Sequence, residues 1–400
     1  MAIELSNVTF TEQDDVVPAS GVEERLINTG IANTLAGNDV IIGISNNNSL
    51  ASGFSNDGIF NTGDGNDIIT GTGGYRAVEN GGTLNTDDGN DTIIGTAGTF
   101  YSAGIGSGNL IDTGKGNDVI IGTGTSAGII IGGTLNTGDG NDTITGVNDT
   151  ITGNGGDGIL NRGTINSGNG NDIITGIGYT GLFNRSTINT GNGEDSIISQ
   201  GNFSNYGGVF LGDGNDSLIV DASLFYPDLS TNTLQNLNAI ETGNGDDIIT
   251  STGAIYNEGF INTGNGDDSI IVDRGVDGTG TGYGIYNNGG NINTGDGNDS
   301  IIANEGFESA ENSSGAWFLG EGDDYLHGFG SGDFYGGNGN DTLELTPGTY
   351  TVGIWGEGGE SPIFTKGNQL MITSEFEKLK AGGTIYDFTS LTAGQVIVVA

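Results

Sequence analysis

The sequence predicts an all-β protein: a parallel β-solenoid with glycine- and aspartate-rich turns and a non-repeating β cap at its C-terminal end. Two observations lead to this fold class. Glycine occupies 80 of the 400 positions, and glycine opposes helix formation. A block of the form T-G-x-G-N-D-x-I-I recurs in thirteen copies, some degenerate, at a mean spacing of about 25 residues, and a repeat of this length is typical of solenoids.

The repeat divides the chain into an N-terminal cap (1–26), a repeat solenoid with about thirteen turns (27–345) and a C-terminal cap (346–400). In each coil we expect short strands that point Ile, Leu or Val inward. We expect the coils to stack in parallel, roughly 4.8 Å apart. Within the repeat region, one asparagine precedes many turns at a constant distance, which predicts an amide ladder along one corner of the coil. These asparagines are Asn80, Asn161, Asn184 and Asn257.

The composition excludes several classes of protein. The chain has 51 acidic and nine basic residues, a formal net charge of −42, and would repel nucleic-acid phosphates, so we expect no nucleic-acid partner. No apolar run is long enough to cross a membrane, so we expect no transmembrane segment. Without cysteine and with one histidine, His327, the chain cannot build a thiolate or multi-histidine metal site.

The glycines and aspartates of the acidic turn are residue types that suit a calcium site. Glycines permit the positive φ angles of a tight loop and let backbone carbonyls converge. A carboxylate that closes such a loop completes an all-oxygen cage, which suits Ca²⁺. Carboxylates stacked one strand spacing apart would otherwise repel each other strongly. We therefore predict a single column of calcium sites, up to about twelve ions.

The predicted calcium ligands are the closing aspartates and the turn glycines. The aspartates are Asp39, Asp67, Asp91, Asp118, Asp142, Asp172, Asp195, Asp216, Asp247, Asp268, Asp299, Asp324 and Asp341. The glycines are Gly63, Gly65, Gly138, Gly140, Gly264, Gly266, Gly295, Gly297, Gly337 and Gly339. The remaining turn acids are expected to form a solvated face: Asp64, Asp88, Asp139, Glu194, Asp213, Asp246, Asp267, Asp296, Glu321 and Asp323.

One turn matches a known calcium-binding motif in full. Gly336, Gly337, Gly339, Asp341 and Leu343 occupy the defined positions of the nonapeptide G-G-x-G-x-D-x-U-x, where U is a large apolar residue. The repeat therefore resembles the RTX, or haemolysin-type, calcium-binding family over roughly residues 27–345. Most copies depart from the family motif by carrying Thr at the first glycine and by recurring about every 25 residues rather than every nine.

The resemblance also has implications for export. Family members typically leave the cell by type I secretion with an uncleaved C-terminal signal, which implies such a signal within 346–400 and an extracellular or cell-surface location. The first residues, MAIELSNVTFTEQDD, show no basic segment followed by an apolar run. We therefore expect export without an N-terminal signal peptide.

We expect no enzymatic activity, because the sequence has no H-E-x-x-H, G-x-S-x-G or phosphate-loop motif. His327 is the one candidate base and is expected to be an ordinary edge residue. The aromatic cluster within 305–335 is expected to pack between solenoid and cap. The predicted function is that of a secreted structural or adhesive protein, in a surface layer, sheath, matrix or filament, that folds on binding calcium.

Besides calcium, the candidate partners are a second copy of the chain, joined end to end or laterally, and cell-surface polysaccharide. Two other functions remain open. A polysaccharide-binding or polysaccharide-modifying solenoid is one. An ice-binding solenoid that displays the threonines of the turns is the other, although we expect those hydroxyls to bond the loop backbone instead. These threonines are Thr62, Thr86, Thr113, Thr137, Thr190, Thr242, Thr263 and Thr294.

Overall fold

The computed structural model describes residues 2–18, 24–45, 51–98, 101–150, 155–225, 232–273, 282–309, 315–356 and 361–400. The chain divides into two compact units, Met1–Leu211 and Gly212–Ala400. Both units are parallel β-solenoids, which confirms the predicted fold class. The described residues contain two helical segments, the short 3₁₀ turns Leu5–Asn7 and Phe388–Ser390, and no helix long and apolar enough to span a membrane.

Each complete coil contains three strands, which we call the first, second and third strands. The acidic turn joins the third strand of one coil to the first strand of the next. In the N-terminal unit the first strands are Val16–Val17, Val40–Ile44, Ile68–Gly73, Thr92–Ala97, Val119–Gly124, Thr143–Asn148, Ile173–Asn184 and Ser196–Asn205. The last two of these continue into the second-strand position. The separate second strands are Ala2–Glu4, Arg25–Asn28, Phe54–Asn56, Arg76–Asn80, Ala103–Ser107, Ala127–Ile131 and Asp157–Asn161. The third strands are Ile31–Asn33, Ile59–Asn61, Thr83–Asn85, Leu110–Asp112, Thr134–Asn136, Thr164–Asn169 and Thr187–Asn192, and Gly208–Asp213 contains the boundary between the units.

The C-terminal unit repeats this plan and adds antiparallel strands. Its first strands are Ser217–Asp221, Ile248–Ser251, Ser269–Val272, Ser300–Ala303, Tyr325–His327, Thr342–Glu344 and Lys378–Ala381. Its second strands are Asn232–Asn236, Ala254–Asn257, Ile285–Asn287 and Phe307–Ser309. Its third strands are Ala239–Asn244, Phe260–Asn265, Asn291–Asp296, Ala316–Glu321, Gly332–Asn338 and Gln369–Ser374. The antiparallel strands are Gly348–Trp355, Ser361–Lys366, Thr384–Asp387 and Val396–Val399.

The core is a set of columns in which like residues stack on like. Ile93 pairs in register with Ile69 of the preceding coil and with Ile120 of the following coil, and all three are at most 1% exposed. Second and third strands contribute inward residues in the same way, for example Ile129 and Leu135. Because side chains alternate along a strand, this register keeps one apolar residue of each strand inside every coil.

The predicted asparagine ladder is present in both units. The side-chain amide of Asn56 donates to Asn80 Oδ1 (2.8 Å) and to the backbone carbonyl of Thr83 (2.7 Å). Asn161 bonds Asn184 in the same way (2.8 Å), and Asn257 bonds Asn287 (3.0 Å). The ladder is internal and satisfied by its own neighbours, so it stabilises the corner of the coil.

The aromatic cluster within 305–335 is mainly a packing element. Trp317 and Phe334 are at most 1% exposed and stack with ring centroids 4.4 Å apart, and Phe307 packs 5.1 Å from Phe334. Phe318 and Tyr335 instead stack on the outside of the third strands, with centroids 5.0 Å apart. Residues 310–314 of this segment lie outside the described residues.

Candidate metal centre

The acidic turn brings backbone oxygens of successive coils into line. Gly138 and Gly140 have φ angles of 93° and 155°. A Cβ atom on Gly138 would lie 1.7 Å from the carbonyl oxygen of Gly114, and one on Gly140 would lie 1.7 Å from that of Gly116. Only glycine allows this backbone to approach so closely. The carbonyls of one turn therefore point toward the turn stacked on it.

The other predicted glycines share this geometry. Positive φ angles occur at Gly63, Gly65, Gly264, Gly266, Gly295, Gly297, Gly337 and Gly339, and a Cβ at each would lie within 2.0 Å of a carbonyl oxygen of the preceding coil. Two turns reach the same conformation without the first glycine. Leu35 and Asp87 adopt positive φ angles of 84° and 59° there. The stacked geometry thus overrides the local preference of two residues that ordinarily avoid it.

The closing aspartates form a hydrogen-bonded ladder. Within each unit, Oδ1 of a closing aspartate accepts the backbone N–H of the closing aspartate one coil earlier, as Asp67 does from Asp39 (2.7 Å). In the N-terminal unit the ladder joins Asp39, Asp67, Asp91, Asp118, Asp142, Asp172 and Asp195 at 2.7–2.8 Å. In the C-terminal unit it joins Asp216, Asp247, Asp268, Asp299, Asp324 and Asp341 at 2.7–2.9 Å.

The second carboxylate oxygen of most ladder aspartates has no protein partner. Oδ2 is buried without a hydrogen bond in Asp39, Asp67, Asp91, Asp118, Asp142, Asp172, Asp247, Asp268, Asp299, Asp324 and Asp341. These side chains are at most 2% exposed. A buried charged oxygen without a partner is strongly unfavourable, so each of these oxygens favours either a proton or a bound cation.

Burial makes these carboxyl groups weaker acids than an exposed aspartate. It raises the pKa from 3.8 to about 6 in Asp67, Asp118, Asp299 and Asp341. It raises the pKa to about 7 in Asp91, Asp172, Asp268 and Asp324. The pKa also rises with burial in Asp39, Asp142, Asp195 and Asp247. Near neutral pH many of these groups therefore carry a charge that the surrounding protein does not neutralise.

Two acidic residues extend the ladder beyond the thirteen closing aspartates, one through its backbone N–H and the other through its carboxylate. Asp15 donates its N–H to Asp39 Oδ1 (2.7 Å), and Asp341 donates its N–H to Glu377 Oε2 (2.7 Å). The sequence held a signal for the first, because Asp14-Asp15-Val16-Val17 parallels N-D-V-I and the two valines pair in register with the next coil. Glu377 carries no such signal, since no glycine turn precedes it.

The turn threonines point inward, away from solvent. Seven of the eight hydroxyls donate to a backbone carbonyl at 2.8–3.3 Å. The acceptor is backbone, as expected, but it belongs to the next coil rather than to the same loop. The hydroxyl of Thr62 is buried without such a bond. All eight are at most 1% exposed, so this column cannot present a surface to ice. The ten further turn acids are exposed, as predicted.

His327 lies on the outer side of a first strand, next to an ion pair. Glu344 accepts hydrogen bonds from the Tyr325 hydroxyl and from Lys380 Nζ, the latter at 2.7 Å. The His327 ring stacks beside Tyr325 with centroids 6.3 Å apart, and its Nδ1 is buried without a hydrogen-bond partner among the described residues. The Glu344 carboxylate near His327 thus already accepts hydrogen bonds from Tyr325 and Lys380.

The donor set fits a hard cation. In the described part of the chain, no three histidine, aspartate or glutamate side chains converge as a metal-binding group. A cation in the ladder would therefore draw on one or two carboxylates and take its remaining oxygens from turn carbonyls. Purely oxygen donors of this kind suit Ca²⁺ and disfavour the metals that prefer sulfur or imidazole.

The chain was compared with protein families, with curated sequences and with solved structures. No protein-family model matches the chain, and no curated protein sequence matches it. Among solved structures, the chain is similar to one titled as a hyperactive, Ca²⁺-dependent, β-helical antifreeze protein from an Antarctic bacterium. The two share 19% sequence identity over 96% of each chain, with a TM-score of 0.44.

Proposed function

We propose that the chain binds calcium along its acidic turns and that these ions hold the solenoid together. The observation that carries this proposal is the row of buried, unpartnered Oδ2 atoms, in turns whose glycines approach the carbonyl oxygens of the preceding coil. A dication at each step would partner the carboxylate oxygen and cancel the repulsion between neighbouring coils. It would also reduce the formal net charge of −42.

Calcium would then act as a folding switch. Because the ladder exists only in the folded chain, binding stabilises the native state by mass action. Several sites in one stacked array would make the transition steep. We propose that the chain stays unfolded at low calcium and folds where calcium is abundant, outside the cell or at its surface.

The biological role that best suits this behaviour is structural or adhesive. The repetitive core provides a regular scaffold, and the exposed turn acids keep it soluble. The absence of catalytic motifs from the sequence supports a role without enzymatic activity. Under this proposal the chain would be a calcium-stiffened element of an extracellular layer, sheath or matrix.

Calcium titration of chelator-treated protein, followed by far-UV circular dichroism, tests the proposal. We expect a cooperative change from coil to β structure with calcium and a much weaker response with magnesium, which keeps its water shell more tightly. A full β spectrum in chelator that calcium leaves unchanged would refute the folding switch. Equilibrium dialysis would then show whether calcium binds without affecting the fold.

One surface supports ice binding as a second candidate function. The outer side of the first strands in the N-terminal unit carries a partly exposed column of Ile and Thr in unbroken register. The column consists of Ile42, Thr70, Ile94, Ile121, Thr145, Thr175 and Ile198. It contains no charge, which is unusual in so acidic a chain. A regularly spaced, uncharged array of hydroxyl and methyl groups is suited to an ordered water surface.

Thermal hysteresis of the calcium-loaded protein tests this second candidate. We expect a freezing-point gap that disappears when Thr145→Lys introduces a charge in the middle of the column. Asp64→Lys, at an exposed turn position, serves as the matched control and should leave the gap unchanged. A protein without any hysteresis, while folded, would refute ice binding and leave the calcium proposal intact.

A further inference from the structure

A cavity of about 560 Å³ opens on the C-terminal unit, away from the acidic ladder. Its walls come from residues 282–283, from the loops that follow three first strands and from the antiparallel hairpin of the cap. Tyr283 and Phe329 supply aromatic surface, and Asn304, Glu305, Lys366 and Gln369 supply polar groups. This volume is that of a site for a small molecule or for one or two residues of a polymer.

Lys366 is held in this cavity without a carboxylate partner. Its Nζ donates to the backbone carbonyl of Pro347 (3.0 Å) and lies 5.8 and 5.3 Å from the ring centroids of Phe329 and Tyr350. These contacts orient the ammonium group and leave two of its three N–H donors for other acceptors. No carboxylate in the described residues forms an ion pair with it, although the chain has 51 acidic residues.

Three further polar side chains in the cavity are also uncommitted. The described residues provide no hydrogen bond to the side chains of Asn304, Glu305 or Gln369, all of which line the cavity. The site therefore offers strong hydrogen-bond donors on Lys366 and an acceptor carboxylate on Glu305. It also offers two side-chain amides, each of which can donate and accept hydrogen bonds. A ligand that satisfies this mixture needs many groups that donate and accept at once, as sugar hydroxyls do.

An aromatic ring completes the set. Tyr283 stacks one side of its ring on Tyr286, with centroids 6.3 Å apart and planes 21° apart, and lines the cavity. A fixed aromatic ring beside hydrogen-bonding groups matches the apolar face and polar rim of a pyranose. Because Lys366 and Glu305 carry opposite charges and the chain is strongly acidic, a neutral sugar fits better than a polyanion.

We propose that this cavity binds a sugar residue of a neutral polysaccharide, with Tyr283 as the stacking platform and Lys366 and Glu305 as hydroxyl ligands. The proposal deepens the adhesive role proposed above and rests on it, because the cavity would be the site by which the solenoid attaches to a polysaccharide. It does not involve the calcium ladder, so the two proposals can fail separately.

Isothermal titration of the full chain, saturated with calcium, tests the site. The probes are cellohexaose, maltohexaose and chitohexaose, with oligogalacturonate as the anionic comparison. We expect at least one neutral hexasaccharide to bind. We expect Lys366→Ala, Glu305→Gln and Tyr283→Ala each to weaken that binding about tenfold, which corresponds to about 1.4 kcal/mol.

Matched controls separate the site from general effects. Lys115→Ala removes an exposed cation, and Tyr101→Ala removes a tyrosine that is 81% exposed; both lie in the N-terminal unit and should leave binding unchanged. Circular dichroism in calcium verifies that each variant folds, and any one folded site variant is sufficient for the test. The proposal is overturned if no neutral hexasaccharide binds the folded protein, if only the uronate binds, or if site and control variants bind equally.

Discussion

Replacement of Asp67 by asparagine should stabilise the chain without calcium and destabilise it with calcium. Asp67 is 1% exposed, accepts the Asp39 N–H at 2.7 Å and donates its own N–H to Asp91. Asparagine keeps the accepting Oδ1 and removes one charge from the middle of three stacked carboxylates. The substitution therefore isolates the charge of the ladder from its hydrogen bonds.

The magnitude follows from Coulomb's law. At a coil spacing of about 4.8 Å, two unit charges repel by about 0.9 kcal/mol in a medium like water and by about 3.5 kcal/mol at an effective dielectric constant of 20. Asp67 has two such neighbours when all three carboxylates are ionised, so its neutralisation should stabilise the calcium-free fold by at least about 2 kcal/mol at pH 8. The new amide leaves one unpartnered N–H₂, which costs less than an unpartnered charged oxygen.

With calcium the sign should reverse. Asp67 adjoins two steps of the ladder, so losing its charge should weaken the combined binding of the two adjoining ions about 300-fold, which corresponds to about 3.4 kcal/mol. This loss exceeds the gain of about 2 kcal/mol without calcium, so the free energy of unfolding in calcium should fall by about 1.4 kcal/mol. In chelator, folding is induced with the osmolyte trimethylamine N-oxide and followed by far-UV circular dichroism. In calcium, urea denaturation reports the free energy of unfolding.

Asp64→Asn is the matched control, because it removes the same charge from an exposed position of the same turn. It should change both quantities by less than about 0.5 kcal/mol. If Asp67→Asn shifted stability in the same direction in chelator and in calcium, the reasoning would be refuted. An equal effect of the control would show that only net charge matters.

Three further outcomes follow from the structure. In chelator with a fixed osmolyte concentration, the folded fraction should be higher at pH 5 than at pH 8. The ladder pKa values of about 6 to 7 exceed the ordinary 3.8, so the folded state retains protons that the unfolded state releases. Stability therefore falls as pH rises through 6 to 7. A folded fraction that increased with pH would contradict this assignment. Gly138→Ala should cost about 3 kcal/mol in urea denaturation with calcium, because its φ is 93° and the new Cβ would overlap the preceding coil. Gly98→Ala, where a Cβ meets nothing within 4 Å, should be neutral, and equal effects would argue against the stacked turn. Asn56→Ala should cost about 2–4 kcal/mol in the same assay, because it removes the two hydrogen bonds that its side-chain amide donates; a smaller loss would mean that the ladder adds little.

Periodicity made the closing aspartates predictable. The segment from the third strand to the aspartate keeps its length in most coils, so one alignment of the repeat places all thirteen residues in the same structural position. The alternation of residues in V-I-I-G and T-I-I-G similarly identified which side chains face the core. Repetition supplied in one chain the information that a single copy of the motif lacks.

The parts that the sequence did not predict depend on contacts between coils. The turn threonines were expected to bond the loop backbone, but the accepting carbonyl belongs to the next coil, which only the stacking register determines. Glu377 completes the ladder from a segment with no repeat, because its longer side chain reaches Asp341 from outside the turn. Asp15 lacks the signature of the other turns because no glycine precedes it, although the two valines that follow it pair in register with the next coil.

The direction of the aspartate ladder has a consequence for how such a chain can change in evolution. Inside each unit, a coil contributes one N–H that bonds to the aspartate of its C-terminal neighbour and one carboxylate that accepts from its N-terminal neighbour. Deleting or duplicating a whole coil removes or adds a donor and an acceptor together and leaves no group stranded. Copy number can therefore drift by unequal recombination at little energetic cost, whereas loss of the terminal acceptor Glu377 exposes a defect that no internal coil can repair.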